Sequence, residues 1–143
     1  MALEKRINPG PFYLSSRSRQ RLQGIHPDLA LVVNGAITRT AIDFTVLEGL
    51  RTPERQARLF DAGATRTLRS RHLTGHAVDL GAWLDGQVAW DWPLYHQIAD
   101  AMLSAADEYR VPLEWGGHWR TFKDGPHFQL PWDDYPPTST ATP

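Results

Sequence analysis

Ser70-Arg71-His72-Leu73-Thr74-Gly75-His76-Ala77-Val78-Asp79 places a histidine and a carboxylate seven residues apart, with a glycine and a small residue between them. Ligands on adjacent turns of one helix would fall three or four apart, so this spacing does not suit a helix. It predicts a loop carrying His72, a turn at Gly75, and a strand entered through Ala77-Val78-Asp79-Leu80. Alternate side chains of a strand share a face, so Ala77 and Asp79 point the same way. The small Ala77 leaves room for something bound against the carboxylate.

A second stretch, Asp124-Gly125-Pro126-His127-Phe128-Gln129-Leu130, adds another histidine and another acid. His72, Asp79 and His127 together offer two imidazoles and one carboxylate, a donor set that suits one zinc ion per chain. Zinc hydrolases commonly use three protein ligands and leave the fourth position to water. One ligand carboxylate keeps the site charge near +1, which favours ionisation of that water near neutral pH. Asp124 is the spare acid, three residues before His127, and it is the candidate general base. Gly125 lets the chain turn and Pro126 stiffens the link.

The pattern S-x-H-x-x-G-x-A-x-D followed by D-x-P-H-F resembles the zinc peptidases of the D-alanyl-D-alanine carboxypeptidase/VanY group. Within that group the chain is most similar to phage endolysins that act as L-alanyl-D-glutamate peptidases, over roughly residues 15 to 131. The resemblance implies a Hedgehog/D,D-peptidase-like fold and cleavage of the L-alanyl-D-glutamate bond in the stem peptide of peptidoglycan. A D,D-carboxypeptidase or dipeptidase of the same group is the alternative enzyme. A non-catalytic wall-binding or virion module that keeps the metal is the alternative from another class, and the presence of Asp124 argues against it. The carboxypeptidases of the group use a glutamate where Asp124 stands, so the aspartate favours the endolysin branch.

Arg51, in Gly49-Leu50-Arg51-Thr52-Pro53, follows a strand and precedes a helix cap, a position from which a side chain reaches into a cleft. A guanidinium there can hold a substrate carboxylate or the carbonyl where negative charge develops, and the resemblance implies a substrate-binding role for it. Gln56 on the following helix is expected to assist. Ser70, two residues before His72, is a candidate substrate contact; no histidine–aspartate pair is left to make it a nucleophile. His118, on the glycine-hinged loop Trp115-Gly116-Gly117-His118-Trp119, is expected near the substrate, with Trp115 and Trp119 lining the cleft. Trp83, Trp90 and Trp92 are expected to serve packing rather than the cleft. His76 has the wrong strand parity for the metal, His96 is an ordinary helix residue, and His26 before Pro27 is structural.

At 143 residues the chain is the size of one domain. It has no cysteine, which removes disulfides, thiolate metal sites and cysteine nucleophiles. Residues 1–71 hold 12 Lys and Arg against 6 Asp and Glu, whereas residues 72–143 hold 3 against 10. The basic half lacks a dense run and its arginines fall at helix-like spacings, so it reads as solvated helix faces and nucleic acid is not expected as a partner; an anionic substrate approaching from the basic side is the functional alternative. No run approaches the ~20 apolar residues of a membrane span, and no apolar segment resembles a signal peptide. The expectation is a monomer, made in the host cytoplasm without membrane insertion, that reaches the wall through a holin-like pore.

Helix signals fall at Ser15 or Ser16 to Leu22, from Pro27, from Thr52-Pro53 to Ala62-Gly63, and from Trp92-Pro93 to about Tyr109. Strand signals fall at 42–47, 77–83, 113–115 and 128–130. Helices alternating with isolated strands predict an α+β domain with a small, mostly antiparallel sheet. The expected division is an extended lead-in over 1–14, the peptidase domain over 15–132, and a disordered tail over 133–143.

Overall fold

The structure, a computed structural model, describes residues 10–137, in which four α-helices pack with a five-stranded sheet. Helix α1 (Ser16–Arg21) starts where the Ser15 hydroxyl accepts the Ser18 N–H at 3.0 Å. Helix α2 (Pro27–Ile37) has proline at its first position, and His26 Nδ1 accepts the Asp28 N–H at 3.0 Å. His26 is thus a helix cap. Helix α3 (Pro53–Asp61) is capped by Thr52, whose hydroxyl accepts the Arg55 N–H at 3.1 Å. Helix α4 (Trp92–Tyr109) ends at Arg110, whose φ of 57° leaves the helical region, and Pro112 follows two residues later.

The strands are β1 (Phe44–Glu48), β2 (Ala77–Leu84), β3 (Gln87–Ala89), β4 (Glu114–Trp115) and β5 (His127–Gln129). Their order is β1-β2-β5-β4, with β3 also on β2, and every pairing is antiparallel. Val78, Leu80, Ala82 and Phe128 are buried with Leu29, Val32, Ile98 and Met102 of α2 and α4 in one apolar core. Full burial of such a side chain contributes roughly 1.5–3 kcal/mol, enough for this face alone to hold the sheet. Strand alternation then leaves Ala77, Asp79, His127 and Gln129 to the opposite face. The β2–β5 register sets Asp79 directly across from His127 and Ala77 across from Gln129.

Several expectations are corrected. The first strand begins at Phe44, because the Thr40 hydroxyl bonds both the N–H and the carbonyl of Ile42 and keeps it out of the ladder. His72 sits on a single 3-10 turn, Arg71–Thr74, whose start is tied when Ser70 Oγ accepts the His72 N–H at 3.1 Å. Trp83 and Trp90 are 38% and 60% exposed, and Trp92 is also exposed, so none of the three belongs to the core. Order continues past residue 132: Tyr135 donates its N–H to Pro131 and its hydroxyl to Asp28 Oδ2, the latter at 2.6 Å. Burial together with that bond to Asp28 and its charge pushes the Tyr135 hydroxyl up to about 12, so it remains a donor at any physiological pH. The rest of the expected tail, 138–143, and residues 1–9 of the lead-in lie outside the described residues.

Gly75 closes the His72 turn at φ 78°, and a Cβ there would lie 2.3 Å from the Gly24 carbonyl oxygen. Gly63 has nearly the same φ, 77°, with nothing within 4 Å. Gly75→Ala is therefore expected to lower Tm by roughly 5 °C or more, and Gly63→Ala by distinctly less, since it carries only the backbone strain. Thermal unfolding of both variants checks this; equal losses would mean that the backbone contact at Gly24 is immaterial.

Candidate active site

Three elements bring the expected ligands together. His72 comes from the 3-10 turn, Asp79 from β2 and His127 from β5, with one donor atom of each within 4.8 Å of the others. His72 Nε2 lies 3.3 Å and His127 Nδ1 3.1 Å from the same Asp79 oxygen. The other nitrogen of each ring is engaged. His72 Nδ1 lies 2.8 Å from the Gly49 carbonyl, to which it can only donate. His127 Nε2 lies 2.8 Å from Gln129 Oε1, and the Gln129 amide donates in turn to Glu114 at 3.0 Å, which orients its oxygen toward the imidazole. These bonds select the tautomers that turn lone pairs toward Asp79.

Two lone pairs and a carboxylate facing one point repel unless a cation lies between them. The buried His72 Nε2 has no hydrogen-bond partner, as expected of an atom reserved for such a cation. Two imidazoles and a carboxylate suit zinc. In the metal-free chain a proton on His127 relieves the conflict. Burial is the largest influence and opposes its charge, but the hydrogen bond and charge of Asp79, the Gln129 bond and the charge of Asp124 together outweigh it and raise the imidazole above its ordinary value. Burial likewise works to raise Asp79, yet the hydrogen bond from His127 and the closeness of the His72 and His127 rings hold it well below the usual carboxylate range.

Asp124 lines the same cavity, about 500 Å³, with His72, Asp79 and His127. Its loop is tied at both ends: the Asp124 N–H donates to Gly116 at 3.0 Å, and the Trp115 indole donates to Gly125 at 2.7 Å. Among the described residues nothing hydrogen-bonds its carboxylate. Burial, then the negative charge of Asp79, raises it above the ordinary carboxylate value, against the pull of His127, His72 and Arg51. An acid so placed is suited to taking up a proton.

Arg51 lines the cavity too, with its guanidinium fixed in place. Nε and Nη2 donate to Glu48 at 3.1 and 2.7 Å, and Nη1 donates to Gln56 Oε1 at 2.7 Å. Three of its five N–H groups are engaged and two remain for a substrate. Gln56, 1% exposed, also bonds the Thr67 carbonyl, so it positions Arg51 from below the cavity. Ser70 and Trp119 reach the cavity wall.

His118 and Trp115 do not line it. Trp115 is 2% exposed in the core, and His118 packs edge-on against its ring at 4.7 Å. The indole's contribution is the bond that anchors the Asp124 loop. His76 bonds Thr74 and takes no part in the metal cluster, and His96 packs edge-on against Trp115. Glu48 and Gln129 are site residues that sequence reasoning missed. Their positions, three before Arg51 and two after His127 on the same strand face, are the signals that could have found them.

A two-histidine, one-aspartate cluster that could hold a metal ion lies on the open face of an antiparallel sheet, with an unpaired acid beside it, an arrangement suited to a hydrolase. The match to known proteins narrows this. The chain belongs to the phage L-alanyl-D-glutamate peptidase family, whose model matches residues 11–130. It is 26% identical over 117 residues to the L-alanyl-D-glutamate peptidase of Escherichia phage T5, covering 79% of this chain and 85% of that protein. With the L-alanyl-D-glutamate peptidase of Listeria phage A118 it shares 35% over 94 residues, 66% of this chain but 32% of the relative. Among solved structures, the L-Ala D-Glu endopeptidase ChiX of Serratia marcescens aligns with a TM-score of 0.83 and 50% identity, over 87% of this chain and 95% of that one. The expected α+β peptidase fold is thereby borne out.

Proposed function

We propose that this chain is a zinc peptidase that hydrolyses the L-alanyl-D-glutamate bond of peptidoglycan stem peptides. The observation that carries the reading is the convergence of His72, Asp79 and His127 beside the unbonded carboxylate of Asp124 in one cavity. Bound zinc supplies a Lewis acid that polarises the scissile carbonyl and acidifies water near neutral pH. His72, His127 and Asp79 would hold it. Asp124 takes the proton of the attacking water and returns it to the leaving amine. Arg51 presents its two remaining N–H groups to the carbonyl oxygen as negative charge develops there. Ser70 borders the same cavity and contacts the bound peptide.

Because an ammonium cannot reproduce the fork that Glu48 and Gln56 hold, Arg51→Lys is expected to lower kcat/KM at least about tenfold with folding intact. Steady-state kinetics on a stem peptide checks this, and wild-type efficiency would remove Arg51 from the reaction.

All of these groups come from one chain, so a monomer suffices. Among the described residues no helix is long and apolar enough to cross a membrane. Passage to the wall through a holin-like pore belongs to this reading. Mass spectrometry of cell-wall digests, with and without chelator, tests it. New N-terminal D-glutamate that disappears with chelator is expected. Free D-alanine would indicate a D,D-carboxypeptidase instead, and an undigested wall would indicate a binding module.

A further inference from the structure

Four arginines line the catalytic cavity, and their charges are met in two different ways. Arg51 and Arg55 share Glu48, each at 2.7 Å. Arg69 and Arg71 have no ion pair among the described residues. They lie instead over the ring of Trp132, at 5.4 and 3.9 Å from its centroid. Arg71 is only 2% exposed, its Nε is buried without a partner, and one Nη2 N–H goes to the Tyr135 carbonyl. A planar guanidinium stacks well on an indole, but the ring offsets only part of the cost of removing the cation from water. The cavity therefore carries cationic donors that the protein itself leaves unmatched.

The substrate of the proposed reaction supplies the missing charge. Glutamate has two carboxyl groups and a peptide continues through one of them. The residue on the leaving side of the scissile bond thus bears a free acid, ionised at neutral pH unless amidated. Arg51 is poorly placed to take it, since it lies between Glu48 at 2.7 Å and Asp79 at 3.9 Å and its remaining donors are needed at the carbonyl.

We propose that Arg69 and Arg71, backed by Trp132, form a carboxylate subsite of the catalytic cavity that recognises the free acid of the D-glutamate. The subsite makes the enzyme selective for unamidated stems. This inference rests on the peptidase reading above and adds to it a specificity.

The test uses the zinc-loaded full chain and two synthetic stem peptides that differ only in D-glutamate against D-isoglutamine. Wild type is expected to prefer the acid by about tenfold or more in kcat/KM, the scale of one charge-assisted hydrogen bond. In Arg69→Gln and Trp132→Leu the ratio should fall toward one, because the acid peptide loses more than the amide. Arg71→Lys, which keeps the charge but not the planar stack, should lower the ratio as well. Arg69 is exposed, so its variant decides the matter even if changes at the buried Arg71 fail to fold. Equal cleavage of both peptides by wild type, or an unchanged ratio in every variant, overturns the subsite and leaves the peptidase reading standing. Cleavage of neither peptide by wild type overturns both.

Discussion

Asp124→Asn is expected to lower kcat by about 10²–10⁴-fold, the usual contribution of general acid–base catalysis, while zinc content stays at the wild-type level. The amide keeps the shape of the side chain but cannot accept the proton of the attacking water. The three ligands are untouched, so metal analysis separates this outcome from ligand loss. Zinc lost together with activity would make Asp124 a ligand, and full activity would leave the reaction without its base.

Stability gives an independent check on the same residue. Burial and Asp79 raise the folded-state value of Asp124, so its protonated form favours the fold at low pH, and ionisation opposes the fold as pH rises through that value. In the metal-free chain Asp124→Asn should therefore hold or raise Tm near pH 7, with the gain fading as pH falls below the ordinary value of 3.8. The acidic limb of wild-type activity should report the coupled site rather than one residue.

His72→Ala or His127→Ala is expected to abolish stoichiometric zinc and, with it, activity. Disturbing partners outside the ligand set commonly costs about 10–100-fold in metal affinity, and removing a ligand should cost more. Elemental analysis of the purified variants measures this, and retention of one zinc per chain in the double variant would contradict the ligand assignment. A second signature precedes any mutation. His127 is raised in the metal-free chain, so zinc must displace a proton, and affinity should fall as pH drops through the value of that imidazole. Titration calorimetry in buffers of different ionisation enthalpy would detect the released proton. The depressed value of Asp79 acts in the opposite pH range: its contribution to stability is present above the ordinary 3.8 and is lost as pH falls through the folded value.

The ligands were legible because each motif is local: His72 and Asp79 bracket one turn, and His127 opens a strand next to its own acid. The helices were legible for the same reason, since Ser15 and Thr52 each accept an N–H three residues on and Pro27 presets the first helical position. What escaped depends on the third dimension. Trp115 looks like a cleft residue by its glycine neighbours, yet its ring is drawn into the core and only its N–H serves the site. Strand β3 is three residues long, and its pairing with the far end of β2 gives no signal within Gln87–Ala89 itself. Tyr135 sits among prolines and acids that suggest disorder; it is ordered because Asp28, distant in sequence, receives its hydroxyl.

The register that sets Asp79 opposite His127 has a mechanical meaning. These residues lie 48 apart in sequence, and a metal held by both closes that loop as a cross-link would. In a chain with no cysteine, an ion held there would staple β2 to β5. The load it carries is local, because β4 hangs on β5 and the Asp124 turn lies between them, whereas α2 and α4 are held by the apolar face behind. Chelation should therefore loosen the C-terminal edge of the sheet first, and amides of 114–129 should exchange faster while those of the long helix keep their protection. Asp124, the proposed base, lies on that part. If zinc is held as proposed, its removal would loosen the placement of Asp124 as well as take away the Lewis acid.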